Sequence, residues 1–107
     1  MRIDLHPEAR VELRSAVLWY EERSDGLGGE FVAAVDAAFH RIRQTPEMFP
    51  RWLGTESTPG TIRKAPVERF PYVIAFERKE RHILVLAVSH QKRRPFYWLE
   101  RATQEPG

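Results

Sequence analysis

The sequence predicts an α+β fold: an N-terminal strand, a two-helix hairpin, then a three-stranded antiparallel meander that completes a four-stranded sheet, followed by a short C-terminal helical turn. Three observations predict it. Apolar residues recur at helical spacing through the first half, most clearly at Phe31, Ala34, Val35, Ala38, Phe39 and Ile42. From Thr61 onward the period changes to that of strands. Between the two helical stretches lies the breaker cluster Ser24-Asp25-Gly26-Leu27-Gly28-Gly29, too short to link domains and suited to a tight reversal.

Taken in order, Arg2 to His6 alternates polar and apolar residues as a short strand does, and Pro7 is a favoured first helical residue with Glu8 in the first turn. Ala9, Leu13, Ala16, Val17 and Tyr20 give the first helix its apolar face as far as Arg23, with Arg10, Glu12, Arg14 and Glu21 elsewhere on the wheel. Pro46 and Pro50 end the second helix, and the glycine-, proline- and hydroxyl-rich stretch from Arg51 to Gly60 reads as an exposed, mobile loop. Ile62 to Val67 is a basic strand, Tyr72 to Phe76 an aromatic one, and Ile83 to Val88 an apolar run of the kind buried on both faces at a sheet centre. Arg69-Phe70-Pro71 marks a corner, Glu77 to His82 a turn, and Pro95 the start of the last helical turn, with residues 102–107 expected to fray.

A chain of 107 residues, 42% hydrophobic and 30% charged, suits one domain spanning 1–107 with one core. The absence of cysteine removes disulfides, thiolate metal sites and cysteine nucleophiles, and His6, His40 and His82 have no ligand partner at a useful spacing, so neither metal nor cofactor is expected. The apolar runs fall far short of the roughly 20 residues of a membrane span, and Met1 to Arg10 lacks a signal-peptide core. The expectation is a cytoplasmic protein with no membrane partner. The net charge of +2 hides an asymmetry: residues 1–50 hold six Lys/Arg and nine Asp/Glu, net −3, whereas 51–107 hold eleven and six, net +5. The second half is the one suited to a polyanion or an acidic protein.

Several phrases carry a resemblance: Trp19-Tyr20-Glu21-Glu22, Gly26-Leu27-Gly28, Pro46-Glu47-Met48-Phe49-Pro50, Arg69-Phe70-Pro71-Tyr72, and Val88-Ser89-His90-Gln91 ahead of Arg93-Arg94-Pro95. In this order and spacing, over nearly the whole chain, the sequence resembles the RelE/ParE superfamily of bacterial toxins from type II toxin–antitoxin modules. The resemblance implies a growth-inhibiting toxin with a cognate antitoxin, acidic at least in its binding segment, wrapped over the basic sheet side and the hairpin and covering Lys92, Arg93 or Arg94. It implies two possible targets. One is DNA gyrase, poisoned by binding in the ParE manner; the other is the ribosome and its messenger RNA, cut by a metal-independent RelE-like endonuclease. An inactive relative retained for binding is a third reading. His90-Gln91 at the end of the apolar strand and the modest overall charge lean toward the gyrase-binding reading.

RNA cleavage would need a proton acceptor, cations for the phosphate and an acid for the leaving oxygen. The resemblance offers His90 and Tyr97 as catalytic groups if the protein is a nuclease, and Arg63, Lys64, Arg69, Lys92, Arg93 and Arg94 as target-binding cations. Strand alternation puts His90 on the face of Leu84, Leu86 and Val88, where it would cap the core, and it puts Arg63 and Lys64 on opposite faces. Phe96, Tyr97 and Trp98 could stack on bases, or Phe96 and Trp98 pin the last segment onto the sheet or hairpin while the cations face water. Trp19, Trp52 and Trp98 are the candidate partner contacts.

Overall fold

The structure is a computed structural model, and residues 1–103 are described. The chain runs β1 (Arg2–Leu5), α1 (Pro7–Arg23), α2 (Leu27–Gln44), a 3-10 turn (Pro46–Met48), β2 (Ile62–Val67), β3 (Tyr72–Arg78), β4 (His82–His90) and a final 3-10 turn (Leu99–Thr103). The strands form one sheet in the order β1-β4-β3-β2, with β1 parallel to β4 and the other pairs antiparallel. The central place of β4 accounts for its apolar composition, since Ile83 through Val88 are all at most 1% exposed.

The helical hairpin closes more tightly than the breaker cluster suggests. Only Ser24 to Gly26 lie between the helices, Gly26 taking a left-handed φ of 88°, and Gly28 and Gly29 already belong to α2. The α2 N-terminus lacks a capping side chain of its own. Glu21 of α1 supplies the acceptor instead, receiving the backbone N–H groups of Gly26 and Gly28, each at 2.9 Å. Gly28 is there because α1 is close: a Cβ at this position would lie 2.7 Å from the Val17 carbonyl oxygen and 2.9 Å from Glu21 Oε1. Gly28→Ala is therefore expected to destabilise the protein by about 1–3 kcal/mol by overpacking, although alanine gains about 1 kcal/mol in helix propensity. Urea unfolding checks the sign.

The sheet is covered on both faces. On one side the hairpin packs Phe31, Val35, Ala38 and Ile42 of α2, with Ala9 and Ala16 of α1, onto Ala65, Val67, Ile74, Phe76, Ile83, Val85 and Val88. Tyr20, Phe31, Phe70 and Tyr72 form an aromatic cluster there, with Phe31 5.0–5.2 Å from each of the other three rings. On the other side Trp52, Phe96, Tyr97, Trp98, Leu99 and Ala102 cover Ile62, Ala75, Leu84, Leu86 and Ala87.

A bulge in β4 decides which residue faces which layer. Ala75 pairs with Ala87 and Phe76 with Val85, leaving Leu86 without a partner on β3. Alternation shifts phase at that residue, so Ile83 and Val85 face the helices, Leu84, Leu86 and Ala87 face the other layer, and Val88 faces the helices again. The expectation that His90 shares a face with Leu84 and Leu86 fails for this reason; it lines a cleft on the helix side with Val88.

The other differences concern connections. The loop after Pro50 is not loose: Trp52 packs 4.9 Å from Trp98, Trp52 N–H donates to the Ile62 carbonyl at 2.8 Å, and Thr55, 5% exposed, donates its hydroxyl to the Trp52 carbonyl at 2.6 Å. Glu77 belongs to β3 rather than to a turn and is 5% exposed, with Lys79 Nζ 3.2 Å from its Oε1. The last helical turn begins at Leu99, not Pro95, and Ala102, expected to fray, is 7% exposed within it. The rest of the expected frayed tail, residues 104–107, lies outside the described residues. Among the described residues no helix is long and apolar enough to cross a membrane.

Candidate functional site

A cleft of about 730 Å³ opens between α1, the end of β4 and the C-terminal segment. Its walls include Val11, Trp19 and Tyr20 from α1, Tyr72 and His90 from the strand ends, and Arg93, Tyr97 and Arg101 from beyond β4, around Glu12. The side chains meet here because β1 ends at Leu5, opposite Val85. Past that point the edge of β4 has no strand beside it, and its backbone groups need other partners.

Glu12 and Arg101 supply them. The Glu12 carboxylate accepts from the Val88 N–H at 3.0 Å, from the Tyr97 hydroxyl at 2.5 Å, and from both terminal nitrogens of Arg101 at 3.1 Å. Arg101 Nη1 also donates to the Leu86 carbonyl at 3.0 Å. A bidentate pair thus closes the strand edge of β4 beyond the end of β1, and ties the C-terminal segment to the first helix. Both side chains are largely withdrawn from water, 11% exposed for Glu12 and 12% for Arg101.

The hydroxyl of Tyr97 is held in its neutral form. Burial, reinforced by the bond it donates to Glu12, pushes it up to about 12 from an ordinary value of 10.0. Because the folded value lies above the unfolded one, the stability this phenol contributes is complete below about pH 10 and is lost between about pH 10 and 12. Wild-type protein should lose stability across that window more steeply than Tyr97→Phe, as followed by phenolate absorbance and chemical unfolding.

The His90 ring is oriented by a backbone hydrogen bond. Its Nδ1 accepts the Lys92 N–H at 3.0 Å, so in the neutral ring the proton sits on Nε2, and the ring meets Tyr72 edge-on at 5.1 Å. Arg93 lies flat on Tyr97, its guanidinium carbon 3.9 Å from the ring centroid.

The remaining candidate cations are dispersed. Arg63 faces the helix side and donates to the Phe49 carbonyl at 2.6 Å, whereas Lys64 points to the other face with its Nζ 5.7 Å from the Trp52 ring centroid. Arg69 sits at the strand corner with a left-handed φ of 73° and pairs with Glu30 at 2.9 Å. Lys92 and Arg94 are exposed and do not line the cleft. Of the six cations singled out in the sequence, only Arg93 lines it. Of the three tryptophans, Trp19 is half-exposed in its wall, Trp52 is partly covered, and Trp98 is 1% exposed beneath the C-terminal segment, so its indole packs that segment onto the sheet.

Sequence reasoning missed Glu12, Tyr72 and Arg101 as members of one site. For Glu12 a signal existed: it lies three residues after Ala9 and four before Ala16, both buried, so it occupies the apolar stripe of α1, where a carboxylate requires a partner. Arg101 carried no comparable signal.

The family model described as ParE toxin of type II toxin–antitoxin system, parDE, matches residues 3–95. The fold and this match place the protein among the type II toxins of the RelE/ParE superfamily. The chain belongs to the ParE toxin family, which implies a cognate antitoxin as its partner. No curated protein gives a match.

Proposed function

We propose that this toxin inhibits bacterial growth in the cytoplasm by binding and poisoning DNA gyrase, and that an antitoxin acidic in its binding segment neutralises it. The observation that carries the preference for binding over RNA cleavage is the state of the two proton-transfer candidates. A general base works best with a pKa near the operating pH. Tyr97, pushed up to about 12 and donating to Glu12, is far from that condition, and His90 with its Nδ1 occupied by the Lys92 N–H presents a donor rather than a base. Dispersal of the six cations over both faces of the sheet and the strand corner also suits contacts with a protein better than a single phosphate track. The test pairs a gyrase supercoiling assay with ribosome-programmed messenger RNA cleavage. Supercoiling should be inhibited with the RNA left intact. Cut RNA from the wild type, lost in His90→Gln while the fold survives, would replace this reading with the endonuclease.

A further inference from the structure

The two edges of the sheet are finished differently. At the β2 edge the segment after Pro50 continues the ladder: the Lys64 N–H donates to the Pro50 carbonyl at 3.1 Å and the Trp52 N–H to the Ile62 carbonyl at 2.8 Å. Pro66, further along the same edge, has no N–H to offer. At the other edge, among the described residues, no strand or isolated bridge pairs with the outer side of β1. The His6 N–H donates to the Val85 carbonyl at 2.9 Å, so Arg2 and Asp4 likewise turn their peptide groups toward β4, and Ile3 and Leu5 turn theirs to the open side. The side chains of Ile3 and Leu5 pack on the helix-side core. Those of Arg2 and Asp4 lie on the other face as a pair at 3.0 Å, 70% and 40% exposed.

We propose that a second copy of this chain adds to the open edge, β1 pairing antiparallel with its own counterpart about a two-fold axis at Ile3, so that two four-stranded sheets join into one. The stretch Met1-Arg2-Ile3-Asp4-Leu5 is complementary to itself in that register. Arg2 faces Asp4 of the second copy and Asp4 faces its Arg2, Ile3 faces Ile3, and Met1, 47% exposed, faces Leu5. Ile3, whose backbone groups point outward, exchanges both hydrogen bonds with its counterpart, and Arg2 and Asp4 fall at the intervening positions, where opposed side chains come closest. Sliding the register by two residues sets Asp4 against Asp4 in one direction and Arg2 against Arg2 in the other, and like charges directly opposite are destabilising. Sliding it by one sets outward backbone groups against inward ones. The Arg2–Asp4 pair within a single chain is exposed and worth little, so sharing these charges across the edge costs little. Self-complementarity is what selects the occupant, since the same residues supply both sides of every pair. The assignment depends neither on the toxin's target nor on how the toxin is neutralised.

Sedimentation velocity of the purified toxin over a range of concentrations reads the association. The paired edge is short, so a weak, reversible dimer is expected, with a Kd on the order of 10–100 µM. Arg2→Asp and Asp4→Arg each set like charges opposite one another at both cross-strand positions, and each should weaken association by about 10-fold or more. Mixed in equal amounts, the two variants should associate about as well as the wild type. In the mixed pair the two changed positions face each other with opposite charge, and so do the two unchanged ones. Within each variant chain the Arg2–Asp4 pair stays broken, so the recovery reads contact between chains. Circular dichroism verifies the fold of both variants. Amide hydrogen exchange locates the contact: Ile3 and Leu5 should slow as concentration carries the protein from monomer to dimer, with Asp4, turned toward β4, slow throughout. A toxin that stays monomeric to about 1 mM, a dimer indifferent to both substitutions, or mixed variants that associate no better than either alone would overturn the proposal. Protection of Ile3 and Leu5 only after addition of the product of the adjacent reading frame would also overturn it, and would assign the edge to that protein.

Discussion

Replacing Glu12 with alanine is expected to destabilise the protein by about 3–5 kcal/mol, the range for removing one partner of a buried ion pair. Four donated bonds end on this carboxylate: one from the Val88 backbone, one from Tyr97 and two from Arg101. Alanine would leave the Arg101 guanidinium, 12% exposed, without its counter-charge. It would also return the Val88 N–H to the condition of an unpaired strand edge. Against a total stability of roughly 5–15 kcal/mol for a small domain, the loss is a large fraction of the whole. Glu12→Gln should fall between wild type and alanine, because the amide oxygen can still accept while its NH2 meets the guanidinium unfavourably. Urea denaturation gives the ranking. Amide hydrogen exchange locates the effect, with Val88 and the segment from Tyr97 to Thr103 exchanging faster than the rest.

A comparable loss, about 3–5 kcal/mol, is expected for Phe31→Ala, by a different mechanism. Phe31 is fully buried at the centre of the aromatic cluster with Tyr20, Phe70 and Tyr72. Its removal opens a cavity between α2 and the sheet that these rings cannot fill without leaving their own contacts. Phe31→Leu, keeping most of the volume, should cost less than half as much. Here exchange should accelerate broadly across α2, β3 and β4, in contrast to the local pattern at Glu12. A variant at Phe31 that left the unfolding midpoint unchanged would contradict the packing described for the hairpin.

How far the sequence speaks for this molecule depends on the range of the interaction. The helices and the three later strands follow from hydrophobic period, which is local, and their cores lie where the stripes of Phe31, Val35, Ala38 and Ile42 and of Ile83 to Val88 place them. The parallel pairing of β1 with β4 joins residues about 80 positions apart and leaves no local trace beyond the apolar character of a central strand. The cleft was half legible. His90, Arg93, Tyr97 and Trp19 stand out by residue type. Glu12 and Arg101 carry meaning only once α1 and the C-terminal segment meet at the same strand edge. Lys64 and Arg63 show the reverse case, since alternation alone separates them and the structure keeps them on opposite faces.

The unpaired Leu86 of β4 bears on how related chains should be compared. One extra residue changes the parity of everything downstream in the strand, so His90 owes its side of the sheet to a residue that has no pairing partner on β3. Deleting Leu86 while keeping every other residue would turn the histidine away from Tyr72 and toward the opposite layer. A relative with a one-residue shorter β4 could match this chain at the histidine in a gapless alignment and still carry that ring on the other side. Positions after the bulge are equivalent between two such proteins only when the strand residues before them are counted first.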